Sequence, residues 1–149
     1  GVFSLSAEKP YLTTKFYGPA QVDHSNISKL IQFLQEEKEL YGFSNYWVSY
    51  PLAFLSDEKI ISVPQLPYHN DLRFTERDNR IDHYNDLVQL GERYFYITTN
   101  NPPLDKLIQE KLSENKIEYK IKNINDYQIY YDLSKKITPQ ELGLKNEFK

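Results

Sequence analysis

The sequence predicts an α/β domain of three layers, with a mainly parallel sheet, an antiparallel C-terminal hairpin and helices on both faces. Three features predict it. Residues 41–64 read as strand, helix, strand, and a helical crossover between neighbouring strands makes them parallel, with a right-handed connection. Residues 93–99 (RYFYITT) form an aromatic and β-branched run flanked on both sides by helical periodicity. Residues 118–122 and 127–133 alternate around a turn at 123–126, the pattern of a hairpin. A chain of 149 residues with 40% hydrophobic content suits one domain with a sizeable core. The expected organisation is a lead-in arm at 1–22, one α/β domain at 23–144 and a tail at 145–149.

Residues 1–22 lack helical periodicity and are punctuated by Pro10, Gly18 and Pro19. Thr13, Thr14, Phe16 and Tyr17 suit an edge strand or an extended arm. The first helix is expected over 25–40, because Ile27, Leu30, Ile31 and Leu34 fall on one helical face. Ser25 or Asn26 would cap it, and Gly42 would stop it. A short strand at 42–44 follows, then a helix over 45–55 with Ser44 or Asn45 as its cap. Pro51 lies inside that helix and predicts a kink near 47–51, or two short pieces. Trp47, Pro51, Phe54 and Leu55 are expected to share the face that packs on the sheet, with Tyr50 beside it. Ile60, Ile61 and Val63 predict a buried strand that Pro64 ends.

Residues 65–80 are the least regular part and read as a long connection, placed where α/β folds accept ligands. A short helix is expected over 81–90 with Gly91 as its stop. Asn100 or Asn101 would cap the helix that follows the third strand, with Pro102 and Pro103 tolerated in its first turn and Asn115 as its left-handed stop. In the hairpin, Tyr119, Ile121, Ile129, Tyr131 and Leu133 are assigned like-facing positions. Thr138–Pro139–Gln140–Glu141 is a capping signature for a last helical turn that ends at Gly143.

Composition narrows the function classes. The net charge is −3, from 18 basic and 21 acidic residues mixed along the chain, which argues against a nucleic-acid partner. No apolar run approaches the ~20 residues that span a bilayer. With no cysteine in the chain, disulfides, thiolate catalysis and Cys-ligated zinc are excluded. There is also no methionine, so the expected reading is a processed chain or a piece of a longer one.

The five glycines are not spaced as a dinucleotide or phosphate loop, and no GxSxG elbow is present. His24, His69 and His83 form no HExxH or i, i+4 pair, so His69 with Asp71, or Asp82 with His83, carries no diagnostic metal spacing. No catalytic residue, metal ligand or cofactor is assigned. Tyr46, Trp47 and Tyr50 cluster at a helix N-terminus, where aromatic faces suit sugars or cations and where core packing is the plainer reading. In the long connection, Tyr68 and His69 join them as candidate ligand contacts. Arg73, Arg77 and Arg80 suit a phosphate or carboxylate, against the alternative of local ion pairs with Glu76, Asp78 and Asp82. The candidate ligand-binding set is therefore Tyr46, Trp47, Tyr50, Tyr68, His69, Arg73 and Arg77.

Four stretches, taken in order, carry a resemblance: NYWVSYPLAFLSDEKIISVP (45–64), NRIDHYNDLV (79–88), NPPLDKLIQEKLSENKIEYKI (101–121) and DYQIYYDLSKKITPQELGL (126–144). Together they resemble the C-terminal extracytoplasmic domain of polytopic membrane glycosyltransferases of the GT-C class, akin to protein mannosyltransferases and aminoarabinose transferases. The pattern YW..Y.L.FLS.EKII..P is its distinctive part, matched by Tyr46, Trp47, Tyr50 and Glu58–Lys59. Pro51 departs from the polar or basic residue common there. The resemblance implies a lipid-phosphate-linked sugar donor, with catalytic carboxylates on loops near transmembrane helices that are not among these residues. It implies a domain at the extracytoplasmic face of the membrane, non-catalytic by itself, whose arm at 1–22 follows a membrane span. Its partners would be the transmembrane part of its own chain and a saccharide or polypeptide acceptor. The alternative is a free-standing binding or sensor module for a small polar ligand such as a saccharide.

Overall fold

A computed structural model describes residues 26–74 and 82–149. The lead-in arm, the cap assigned to Ser25, and Arg77 and Arg80 lie outside the described residues. The elements run α1 (Ile27–Glu36), β1 (Tyr41–Ser44), α2 (Tyr46–Leu55), β2 (Ile61–Pro64), α3 (Asp82–Val88), β3 (Phe95–Thr99), α4 (Pro102–Glu114), β4 (Lys120–Ile124), β5 (Tyr127–Tyr131) and α5 (Pro139–Leu142), closed by a 3-10 turn at Lys145–Glu147.

Five strands form one sheet in the order β2-β1-β3-β5-β4. β1 pairs in parallel with both β2 and β3, whereas β3–β5 and β5–β4 are antiparallel. The sheet is therefore mixed: β2, β1 and β3 form its parallel part and the expected C-terminal hairpin its antiparallel part. The reason is that the return strand of the hairpin, β5, inserts beside β3 and leaves β4 outside it, so the hairpin adds two antiparallel ladders. Side chains of α1 and α2 (Ile27, Leu30, Leu34, Val48, Leu52) pack with Phe95, Ile97 and Ile129. Those of α3 and α4 (Tyr84, Val88, Leu104, Ile108, Leu112) pack with Phe43, Tyr96 and Tyr130. Phe95 and Ile97 thus separate from Tyr96, as period-two alternation requires.

Helix α1 stops at Glu36, four residues short of the expected end. Lys38 takes a left-handed conformation (φ 58°), its N–H donates to the Gln35 carbonyl, and the Glu39 N–H donates to the Leu34 carbonyl at 2.8 Å. These are the paired bonds of a Schellman stop. Gly42 is not the stop but lies within β1, where a Cβ would sit 2.3 Å from the Phe95 carbonyl oxygen.

Helix α2 is one continuous helix through Pro51, not two pieces. Its buried face is Val48, Ser49, Leu52 and Ala53, not the expected Trp47–Pro51–Phe54–Leu55 stripe, and Phe54 is 76% exposed. The helix is apolar or aromatic on most sides, so polar contacts select the face. Asn45 caps it by accepting from the Val48 N–H, and Ser62 Oγ donates to Ser49 Oγ at 2.9 Å across to β2.

Asn101 caps α4 by accepting from the Leu104 N–H. Its left-handed stop is Lys116 (φ 58°), whereas Asn115 keeps φ −91°. In the hairpin, Ile121 pairs with Tyr130 and Lys122 with Ile129. Ile121 and Ile129 therefore face opposite sides of the sheet. Leu133 also leaves the Ile129–Tyr131 side, because Asp132 at φ 55° breaks the alternation before it. The predicted last turn is present, with a full capping box between Thr138 and Glu141 and Gly143 at φ 89°. Residues beyond it are built into the fold: the Lys149 N–H donates to the Leu72 carbonyl, and the Phe74 and Phe148 rings lie 5.9 Å apart.

Candidate functional site at the carboxyl ends of the parallel strands

From β1 the chain crosses through α2 to β2 at one edge, then returns across β1 to β3. Connections that leave in opposite directions open a crevice between β1 and β3, at the carboxyl ends, where open α/β sheets take ligands. Here that crevice is closed by the chain itself. Asn45 Nδ2 donates to Thr99 Oγ1 at 2.8 Å, and Ser44 Oγ donates to the Ile97 carbonyl, so β1 and β3 are laced together. The Leu66 N–H donates to the Ser44 carbonyl, and Asn101 Nδ2 donates to the His69 carbonyl at 3.2 Å. Leu66 and Pro67 are buried. The segment after β2 is thereby drawn over the strand ends.

That segment brings Tyr68 and His69 against the first turns of α2. Neighbouring ring centroids are separated by 5.1 Å for Tyr50–Tyr46, 5.2 Å for Tyr46–Trp47, 5.8 Å for Trp47–Tyr68 and 4.3 Å for Tyr68–His69. All five side chains are partly exposed, so they are neither core nor free-standing. Tyr46 and Tyr68 stand nearly perpendicular to Trp47, at 87° and 83°. The Trp47 indole N–H is buried without a hydrogen-bond partner.

At the His69 end, Arg73 Nη2 lies 3.2 Å from His69 Nδ1, and Arg73 Nε lies 3.4 Å from Asp71 Oδ2. The bond that Asp71 accepts from the Arg73 N–H, helped by the guanidinium, holds its carboxyl below the usual carboxylate range. Arg73 thus makes a local ion pair, yet remains 55% exposed. At the other end, Tyr50 meets the buried ring of Tyr84, whose hydroxyl donates to Glu58 at 3.2 Å. Burial and the Glu58 carboxylate push the Tyr84 phenol up.

Six of the seven expected site residues therefore form one connected group: Tyr46, Trp47, Tyr50, Tyr68, His69 and Arg73. Arg77 lies outside the described residues. His83 is exposed on α3, apart from this row, with its ring against Tyr84. Among the described residues no group of three His, Asp or Glu side chains is placed to hold a metal ion.

The opposite pole carries a feature that no sequence pattern announced. Glu39 is wholly buried, accepts from the Asp132 N–H at 2.8 Å and meets Arg93 Nε at 3.1 Å through the same oxygen, Oε2. Its Oε1 has no partner. Arg93 also reaches Asp132 and the Glu37 carbonyl, so the network ties the amino ends of β1 and β3 to the end of β5. A groove of about 410 Å³ beside it is lined by Lys38, Leu40, Tyr41, Leu90, Glu92 and Arg93. A charged glutamate before a strand reads as surface in the sequence, and only the long-range partners Arg93 and Asp132 reveal it as buried.

No protein-family model matches the chain, and comparison with curated proteins and with solved structures gives no match. The resemblance noted in the sequence finds no counterpart there. Among the described residues, no helix is long and apolar enough to cross a membrane.

Proposed function

We propose that this chain is a non-catalytic recognition domain of a membrane glycosyltransferase that uses a lipid-phosphate-linked sugar donor. It acts at the extracytoplasmic face, and its aromatic surface contacts a saccharide on the acceptor. The observation that carries the recognition reading is the cluster of partly exposed rings Tyr50, Tyr46, Trp47, Tyr68 and His69 at the carboxyl ends of the parallel strands. Partly exposed rings offer apolar area beside polar tips, which suits the C–H faces and hydroxyls of a sugar. The non-catalytic reading is supported by the crevice between β1 and β3, which holds the chain's own Leu66 and Pro67. The glycosyltransferase reading rests on the four sequence stretches alone. A three-layer architecture is supported by the two core clusters, one containing α1 and α2, the other α3 and α4.

The free-standing saccharide module uses the same surface and differs only in what precedes it. Immunoblotting of soluble and membrane fractions from the source cells, with an antibody raised to this domain, separates the two. A membrane-bound band several times larger than 17.7 kDa is the expected result. A soluble band near that mass would reject the glycosyltransferase reading and leave the module.

A further inference from the structure

We infer that the outer edge of β4 takes an extended, acidic segment of another polypeptide as a further strand of the sheet. Among the described residues, β2 and β4 are the two edges of that sheet, and they differ. Every residue of β2 is buried, whereas all of β4 but Ile124 is exposed. Ile124 and Tyr127 flank a two-residue turn, so residues 124, 122 and 120 exchange backbone bonds with β5. The N–H and C=O groups of Ile121 and Asn123 therefore point outward, where an added strand bonds them.

Side chains of an extended segment alternate between the two faces of the sheet, and both faces have room beside β4. On the α1 face, a groove of about 420 Å³ is lined by Lys29, Gln32, Phe33 and Glu36 and by residues 122–125 of the hairpin. On the opposite face Ile121 is 42% exposed and offers an apolar seat. Charge selects the occupant. Lys29 and Lys122 are exposed and make no ion pair among the described residues, and the Lys122 ammonium lies 5.9 Å from the centre of the Phe33 ring. The one carboxylate of the groove, Glu36, accepts from the Gln32 amide. An acidic side chain directed into the groove, followed by an apolar one on Ile121, complements this edge. A second copy does not. Pairing β4 with itself about its centre sets Lys122 against Lys122, and edge lysines oppose such pairing.

The test uses the whole chain and two synthetic peptides of about seven residues, one alternating glutamate with valine, the other lysine with valine. Binding is read by calorimetry at low salt, and the contact by amide hydrogen exchange. The acidic peptide should bind several-fold more tightly than the basic one. It should also slow exchange at Ile121 and Asn123 by about tenfold or more. Lys122→Glu should reverse the preference between the peptides. Asn123→Pro removes an outward N–H that β5 does not use, so it should abolish binding while the thermal melt stays close to wild type. If that variant fails to fold, the reversal by Lys122→Glu still decides. Equal binding of both peptides, or binding of neither, would overturn the inference. Protection of Ile121 and Asn123 in the free chain would overturn it too, and sedimentation would then assign the edge to a second copy or to the chain's own residues.

Discussion

Asn45 Nδ2 donates to Thr99 Oγ1 at 2.8 Å, across the line where the sheet connections diverge. The same side chain accepts from the Val48 N–H and so starts α2. One amide therefore closes the crevice between β1 and β3 and sets the rotation at which α2 presents Tyr46, Trp47 and Tyr50. Asn45 is 1% exposed, so neither partner has water as a substitute.

Asn45→Ala should accordingly cost about 2 kcal/mol, since it removes a helix cap and leaves the Thr99 hydroxyl short of a buried partner. Asn45→Asp retains the cap acceptor, so its loss should be smaller. Urea denaturation of the three proteins checks the order. An Asn45→Ala protein as stable as wild type would mean that the lacing of β1 to β3 carries no energy.

Gly42 makes the sheet possible at a different point. A Cβ there would lie 2.3 Å from the Phe95 carbonyl oxygen and 2.6 Å from its ring. Gly42→Ala should therefore destabilise by about 3 kcal/mol, because both obstacles belong to the fully buried Phe95 at the start of β3. A denaturant midpoint close to wild type would show that β1 and β3 separate easily, contrary to this packing.

The residues that were legible from sequence are those whose signals are local. Thr138 and Glu141 read as a capping box because both bonds close within one turn, and they are present. The caps were legible to within one residue for the same reason: of Ser44 or Asn45 the cap is Asn45, and of Asn100 or Asn101 it is Asn101. The face of α2 was not legible, since a helix apolar on most sides has no periodicity to read, and the Ser49–Ser62 bond that selects its face spans 13 residues. The antiparallel hairpin was legible, but its order in the sheet was not, because nothing in a hairpin says which of its strands will pair with β3. The adjacency of Tyr46, Trp47 and Tyr50 was legible because they lie within two turns of one helix, and that of Tyr68 and His69 because they are neighbours in the chain. The Tyr68 contact with Trp47, by contrast, depends on Asn101 pulling the 65–69 segment inward.

Three helices, α1, α2 and α4, end on non-glycine residues held left-handed: Lys38, Asp57 and Lys116, each at φ 58°. An L-residue costs about 1–2 kcal/mol there, part of which glycine recovers. Lys116→Gly should raise stability by about 0.5–1 kcal/mol, read as a higher urea midpoint with an unchanged slope. A lower midpoint would mean that the Lys116 side chain contributes more than its backbone strain costs.

Burial holds the Glu39 carboxyl above its usual 4.5, against the opposing pull of the Asp132 N–H and Arg93. Below about pH 4.5 the group is protonated in both folded and unfolded chains, and its contribution is fully present. As pH rises from there through the raised folded value, the unfolded chain releases the proton first, so stability is lost. Wild type should therefore lose ground to Glu39→Gln as pH rises from 4.5 towards neutrality, in a series of urea melts. A gain by wild type over that interval would mean that Arg93 outweighs burial.

Trp47 is the only tryptophan in the chain, and it sits in the middle of the ring row. Its fluorescence therefore reports on the proposed contact surface and on nothing else in the protein. The most direct measurement is a titration of that emission with gluco-, manno- and N-acetylglucosamine oligosaccharides, in wild type and in Tyr68→Ala. Ligand binding should shift the emission saturably in wild type, and Tyr68→Ala should weaken the response several-fold while the thermal melt confirms a folded protein. Emission unchanged at every saccharide concentration would contradict the assignment of this surface as the recognition site.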